Sequence, residues 1–319
     1  MEVSGWEERL FQRAVPWTRG QGCGELAALL TDAEAVRVTG DVSETCIVHR
    51  AGLLVGRSLP GKLDLVSVAV PVAFEAAKVH AVVAAVSGGP HSVLAARIAR
   101  RLGKALGRPA LMACAYRDDG DRAVAEATVA QLTSMVPGLS HRLVEAPNVP
   151  MLVRQLPERA LLVFGAPGGS WFQRVLFGQG ARLRFAAPTG AVIVRHAPAR
   201  VYQHMAPPAF VAAQRIAEDV LRVHGERVMA VVEDGRLRGL VRRAALTAAR
   251  PGTRIATLVE PAPSLVVNQP LDDARALVAV FGADPIPVVD RTGRVVGSFS
   301  LSGDREAGQR LARLASDRS

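Results

Sequence analysis

"HAVVAAVSGGPHSVLAARIARRLGKALGRPALMACAY" occupies residues 80–116 and reads as a strand, a glycine turn, a helix and a second strand. The first run is apolar through Val86, as a strand buried on both faces would be. Leu94, Ile98, Leu102 and Leu106 then recur every four residues, the stripe of a helix over 91–106 with Arg97, Arg100, Arg101 and Lys104 away from it as a solvated basic face. "ALMACAY" (110–116) returns to a strand. The alternation continues outward through a helix over 121–136, strand "SHRLVEA" (140–146) and a short helix over 150–157. It closes with strand "ALLVFGA" (160–166), a glycine segment with a helix from about 178, and strand "GAVIVRH" (190–196). Strands alternating with helices predict βαβ units and a parallel sheet. Such sheets bind ligands at the carboxyl ends of their strands, where the crossovers diverge.

Two glycine-rich turns fall at such ends, "SGGPHS" (87–92) and "GAPGGS" (165–170). The second opens "GAPGGSWFQRVLFGQGAR" (165–182), which holds five glycines in eighteen residues. Glycine accepts positive φ and lets a ligand approach the backbone, so the two turns predict one cradle of N–H groups for an anion.

Composition limits the function classes. A chain of 319 residues exceeds one ordinary core and predicts two or three domains. With 49% hydrophobic and 21% charged residues it is globular rather than disordered. Its most apolar window (63–89) is interrupted by Asp64, Pro71, Glu75, Lys78 and His80, so no membrane span is expected. Glu2, Glu7 and Glu8 stand where a signal peptide would be basic, and Cys23, Cys46 and Cys114 lack metal-ligand spacing. A cytoplasmic chain with free thiols and no bound metal is the expectation. The net charge of +10 is uneven: −2 over 1–78, +9 over 79–200 and +3 over 201–319. Only three of the 39 basic residues are lysine; arginine's fork suits phosphate and carboxylate. Aromatic residues are only 4% and do not interleave with the basic ones, which disfavours nucleic acid as partner.

Gly165, Gly168 and Gly178 form a G-x2-G-x9-G spacing, followed by "APTGAVIVR" (187–195). Residues 79–200 thereby resemble the ATP-binding class of universal stress proteins, and the resemblance implies an adenine nucleotide held by Ser87, Gly88, Gly165, Gly168, Gly178 and Gln179. The chain departs from that pattern in two places: Gln179 stands where the family has Ser or Thr, and Ser87 where an Asp reads adenine. "AVSGGPHS" also resembles the S-G-G-x-D-S loop of ATP pyrophosphatases, with His91 in place of the Asp. That resemblance implies an ATP-using enzyme, and it ranks second. No G-x-S-x-G elbow and no G-x4-GK[ST] loop accompanies it, so turnover is expected to be absent or very slow.

Residues 201–319 repeat internally. "RIAEDVLRVHGERVMAVVEDGRLRGLVRRAAL" (215–246) and "LDDARALVAVFGADPIPVVDRTGRVVGSFSLSG" (271–303) each read helix, loop, strand, glycine turn, strand, after leads at 204–211 and 258–267. The segment resembles a tandem pair of CBS domains, which implies an α+β pair, adenosine nucleotides in clefts between the repeats and pairing of two molecules through the repeat helices. The family motif G-h-h-[ST]-x-x-[DN] places Arg242 and Ala245 after Gly239, and Ser300 and Gly303 after Gly297, with Asp304 one place late. Arg242, Ser300 and Asp304 are the candidate contacts there. Val220, Leu221, Leu277, Val278 and Val280 are the expected dimer surface.

Residues 1–78 form a third region without an assigned function. "GWEERLFQRAV" and "GELAALLTDA" read as short helices, and "AVRVTG", "TCIVHRAGLLVG" and "LDLVSVAVP" as β-like runs. Together these readings predict a cytoplasmic regulatory protein that binds ATP or another adenine nucleotide, with the enzyme and a basic nucleic-acid binder as alternatives.

Overall fold

In the computed structural model, the parallel sheet predicted from residue 80 onward is larger than its own segment. The structure describes residues 9–57, 65–147, 149–166, 189–281 and 285–301. Their contacts divide them into one unit ending at Ala197 and another starting at Pro198.

The first unit holds strands β1 (Val15–Trp17), β2 (Ala35–Arg37), β3 (Leu53–Val55), β4 (Ser67–Val72), β5 (Ala81–Val86), β6 (Ala110–Tyr116), β7 (Ser140–Glu145), β8 (Ala160–Gly165) and β9 (Ala191–Arg195). Its helices are α1 (Arg9–Gln12), α2 (Cys23–Leu30), α3 (Val42–Val48), α4 (Gly89–Leu106), α5 (Asp119–Met135) and α6 (Val149–Gln155). All nine strands form one sheet in the order β2-β1-β3-β4-β9-β8-β5-β6-β7. Neighbours run parallel except at β4–β9, where Val68 opposes Arg195 and Val72 opposes Ala191 antiparallel. Residues 15–72 thus supply four strands to the same sheet as residues 81–195, and no unit boundary falls at the expected position after residue 78.

Central strands are the apolar ones. β5 is buried at every position and β8 at all but Gly165, whereas the edge strand β7 buries only Val144. This is the pattern of a sheet covered on both faces and open at its edges. Ala81, Val83, Ala85, Ala113, Val144, Leu162 and Phe164 form a single cluster with Leu152 of α6.

Two local readings are corrected. Thr45–Val48, expected to be extended, belongs to α3: the Asp41 side chain accepts the Glu44 amide at 2.7 Å and caps the helix start. That cap outweighs the β-branched Val42, Thr45, Ile47 and Val48. The arginines of α4 are also not a solvated stripe. Arg97 is 6% exposed, Arg100 donates to the Pro137 carbonyl at 2.9 Å, and Arg101 donates to the carbonyls of Leu29 and Thr31 while pairing with Asp32 at 2.7 Å. Arg101 thereby clamps the end of α2 to α4.

The second unit repeats one plan. Its first half runs β10 (Phe210–Ala212), α7 (Ala217–Val223), β11 (Val228–Glu233), β12 (Arg236–Arg242), α8 (Arg243–Ala248), and its second β13 (Leu265–Val266), α9 (Leu271–Phe281), β14 (Ile286–Val289), β15 (Val295–Phe299). Each half makes a three-stranded sheet whose first pair is parallel and second antiparallel, and each second pair carries an irregularity at the matching place, Val231/Val232 and Val288/Val289. The Asp234-Gly235 turn places both residues at positive φ, 52° and 77°, as a two-residue hairpin requires.

The halves exchange their leads. Ala206, ahead of β10, bridges Ser298 of β15, and Glu260, ahead of β13, bridges Leu240 of β12. A side chain at Gly239 would strike the Glu260 carbonyl, and one at Gly297 would sit 2.7 Å from Met205 Sδ. Gly239 and Gly297 are therefore required here by the crossing leads. The chain is an α/β unit with a mostly parallel sheet followed by an α+β unit of two like halves.

Packing of α4 on the sheet gives a direct test. A Cβ at Gly103 would lie 2.6 Å from Ala110 Cβ and 3.0 Å from the Arg108 carbonyl. Gly103→Val should destabilise the first unit by about 1–3 kcal/mol in urea denaturation, the range of core overpacking.

Candidate functional site

Topology singles out one edge of the first unit. From β5 the chain moves to β6 and β7 on one side, then crosses to β8 and β9 on the other. The crevice between the diverging crossovers lies at the carboxyl ends of β5 and β8. Those are the ends that carry Ser87-Gly88-Gly89 and Gly165.

The first turn is held by its own serine. Ser92 Oγ accepts the Ser87 amide at 3.1 Å and donates to the Gly88 carbonyl at 2.8 Å. Gly88 and Gly89 take φ of 92° and 77°, conformations that side chains rarely adopt. Nothing lies within 4 Å of a Cβ at Gly89, so the backbone there is open to an approaching group. Gly88 caps α4 without a side-chain bond, at the positive end of an 18-residue helix whose first turn includes Pro90, a residue with no N–H.

Gly165 has a packing use of its own. A Cβ there would lie 2.7 Å from His91 Cβ, so the glycine admits the first turn of α4 against β8. His91 then reaches β9: its Nδ1 accepts the His196 amide at 3.1 Å. Burial first, and Arg195 second, push the His91 pKa below its usual range. Burial, His91 and Arg97 lower that of His196 to about 4, and burial with Arg100 lowers that of Arg97 to about 10. Both imidazoles are therefore neutral at pH 7, while Arg97 keeps its charge. The edge combines open amides with cationic side chains, a setting for an anion.

Burial raises the Cys114 thiol to about 11, and burial with Asp41 raises that of Cys46 to about 12, so neither is a thiolate at neutral pH. Among the described residues no group of three or more His, Cys, Asp or Glu is placed to hold a metal.

The structure brings Ser87, Gly88 and Gly165 to this edge; Gly168, Gly178 and Gln179 lie outside the described residues. In the second unit Arg242 ends β12 and its Nε meets Glu260 at 3.0 Å, both side chains about half exposed. The hydroxyl position of the first repeat is thus filled by an ion pair with the crossing lead. Ser300 follows β15 and is half-buried, and Asp304 lies outside the described residues. Sequence reasoning missed Glu260, Arg97 and His196. Glu260 sits in a lead that was assigned to its own repeat, and only the exchange of leads sends it to Arg242.

No known family model matches the chain, and no curated protein matches it. Solved structures similar to it are CBS-domain proteins. The cytosolic domain of the Mg2+ channel MgtE in complex with ATP is 25% identical with a TM-score of 0.32, over 34% of this chain and 48% of that one. The cystathionine beta-synthase pair domain of a Mg2+ transporter from Shewanella oneidensis MR-1 is 18% identical, TM-score 0.32, over 36% and 71%. CBSX2 in complex with AMP is 21% identical, TM-score 0.32, over 35% and 98%. The match thus spans about half of the MgtE domain and about a third of this chain. Among the described residues no helix is long and apolar enough to cross a membrane.

The histidines predict a pH dependence. His196 is less basic in the folded chain than its usual 6.5, so the fold binds fewer protons than the unfolded chain between about pH 6.5 and 4. Stability is full above that window and falls as the pH drops through it, by about 2 kcal/mol once partial exposure is discounted. Denaturation at pH 7 and pH 4.5 should show this loss, and His196→Gln should flatten it.

Proposed function

We propose that this protein is a regulatory adenine-nucleotide binder, with one site at the carboxyl ends of β5 and β8 and another in the CBS pair. One observation carries the reading. The topological switch between β5 and β8 coincides with the open turn at Gly88 and Gly89, the start of α4 without a side-chain cap, and Arg195, whose charge acts on His91 of that turn. A nucleotide's phosphates fit that combination of amides and charge.

Binding without turnover fits the same geometry. In the first turn, Ser92 spends its hydroxyl on the backbone of Ser87 and Gly88, and His91 spends Nδ1 on the His196 amide. The ATP-using enzyme remains the second reading, and steady pyrophosphate release lost in Ser92→Ala would move it to first place. Nucleic acid is the weakest partner, because Arg100 and Arg101 of the basic helix already donate to backbone carbonyls.

Calorimetry of the full chain with ATP and AMP tests the reading. Binding is expected in the micromolar range, and Gly89→Val should weaken it at least tenfold, because a side chain there would stand over the open amides. Absence of any binding at millimolar nucleotide would refute it.

We also propose a homodimer through the helices of the pair, on corrected residues. Val220 and Val278 are buried within their own unit and Leu221 and Leu277 partly so, whereas Val223, Val280 and Phe281 are 70%, 80% and 55% exposed. Three large apolar side chains on α7 and α9 favour a self-complementary contact. Val280→Glu should shift light scattering from dimer toward monomer, and a monomeric wild type would remove the proposal.

A further inference from the structure

His91 is a residue that the nucleotide reading leaves without a task. It stands in the first turn of α4, against the end of β8, and holds the amide of His196. His196 is the first residue after β9, and Ala197 is the last of the first unit. One hydrogen bond therefore joins the proposed phosphate turn to the segment by which the chain leaves for the CBS pair.

That bond depends on the charge of the ring. An imidazole accepts at Nδ1 only when that nitrogen has no proton, and the imidazolium has a proton on both nitrogens. Protonation from solvent would put a hydrogen on Nδ1 facing the His196 N–H, and the two donors would repel.

The surroundings make this state costly in the empty site. Arg195 acts on His91 from β9, and Arg97 of α4 acts on His196. No Asp or Glu occurs at residues 76–117 or 159–217, the stretches that contain α4, β5, β8 and β9. Nearby acids on other elements act elsewhere: Asp118 accepts the Asp121 amide and acts on Arg117, Asp119 acts on Arg122, Asp121 and Glu126 of α5 pair with Arg117 and Arg122, Glu25 of α2 accepts the Ala76 amide, and Asp32 pairs with Arg101. The missing negative charge is one that a phosphate at the start of α4 would bring. A bound anion favours the charged imidazole, and by linkage the charged imidazole favours the anion.

We propose that His91 is a proton-dependent latch, which holds the His196 amide while neutral and releases it when acid or a phosphate-bearing ligand makes it imidazolium. The ligand arm rests on the proposed nucleotide site, whereas the acid arm stands without it. Filling the site then reads out as loosening of residues 196–197.

Hydrogen exchange of the full chain tests this at the peptide spanning 191–200, with rates corrected for the intrinsic effect of pH. The series runs from pH 7.5 to pH 5.0 and stops above the range in which His196 itself titrates. In the wild type the His196 amide should lose at least tenfold of its protection toward pH 5.0. His91→Asn, whose side-chain oxygen can accept in place of Nδ1 without titrating, should keep its protection throughout. Saturating tripolyphosphate should move the wild-type midpoint upward by at least half a pH unit. Wild-type protection that does not change with pH overturns the latch, whether or not the variant folds. Loss of protection in His91→Asn identical to that in the wild type also overturns it. If calorimetry shows tripolyphosphate bound while the midpoint stays fixed, the ligand arm is wrong and the nucleotide site stands. If tripolyphosphate does not bind, the ligand arm fails, the nucleotide reading is decided by the ATP and AMP calorimetry, and the acid response still supports the latch.

Discussion

The antiparallel seam between β4 and β9 is the contact on which the first unit depends. It joins a four-stranded parallel half to a five-stranded one, through pairings from Val68–Arg195 to Val72–Ala191. Without it, β9 and β4 would each be an exposed edge with a full row of unpaired backbone groups. The seam also fixes what lies at its ends. At one end Gly190 crosses so close to the Ala73 carbonyl that no side chain fits, and Ala73 itself takes a φ of 49°. At the other end β9 delivers Arg195 and His196 to the edge where β5 and β8 finish. The cationic side of the candidate site is therefore a product of the seam.

Much of this architecture was legible where local signals and tertiary packing agree. From β5 to β9 the alternation of apolar runs and helical stripes gave each described element to within a few residues, because strands buried on both faces leave a strong apolar signal. The repeat in the second unit was equally legible, since two hairpin turns and two crowded glycines recur in register. What failed to show was pairing between distant segments. Nothing local in "LDLVSVAVP" says that β4 will meet β9 antiparallel, so the N-terminal region read as separate. Likewise α3 was hidden by its β-branched residues, although Asp41 and Glu44 carried the start signal.

At the proposed site the strand-end turn was legible, and the packing around it was not. Ser87 and Gly88 are where a strand-end turn should put them, and Gly88 and Gly89 have the positive φ that glycine supplies. Gly165 matched a ligand motif, but its missing Cβ makes room for His91. Arg97 read as a surface charge, because a stripe of leucines says which face is apolar but not how deeply the flanking residues sink. In the second unit, Arg242 read as a candidate phosphate contact, and its partner Glu260 comes from the lead that crosses between the repeats.

That crossing bears on how the chain is made. Ser298 reaches the Pro207 carbonyl across 91 residues of sequence. The first repeat cannot recruit Glu260 against Leu240 until the linker has emerged, and the lead at Ala206 has no strand to join until β15 exists. During synthesis the first repeat must therefore wait, with part of its backbone unsatisfied, for the whole second repeat to leave the ribosome. Folding of the pair should be a late, single event with the slow rate that distant contacts impose. The two repeats, although they look like modules in the sequence, form one unit of folding.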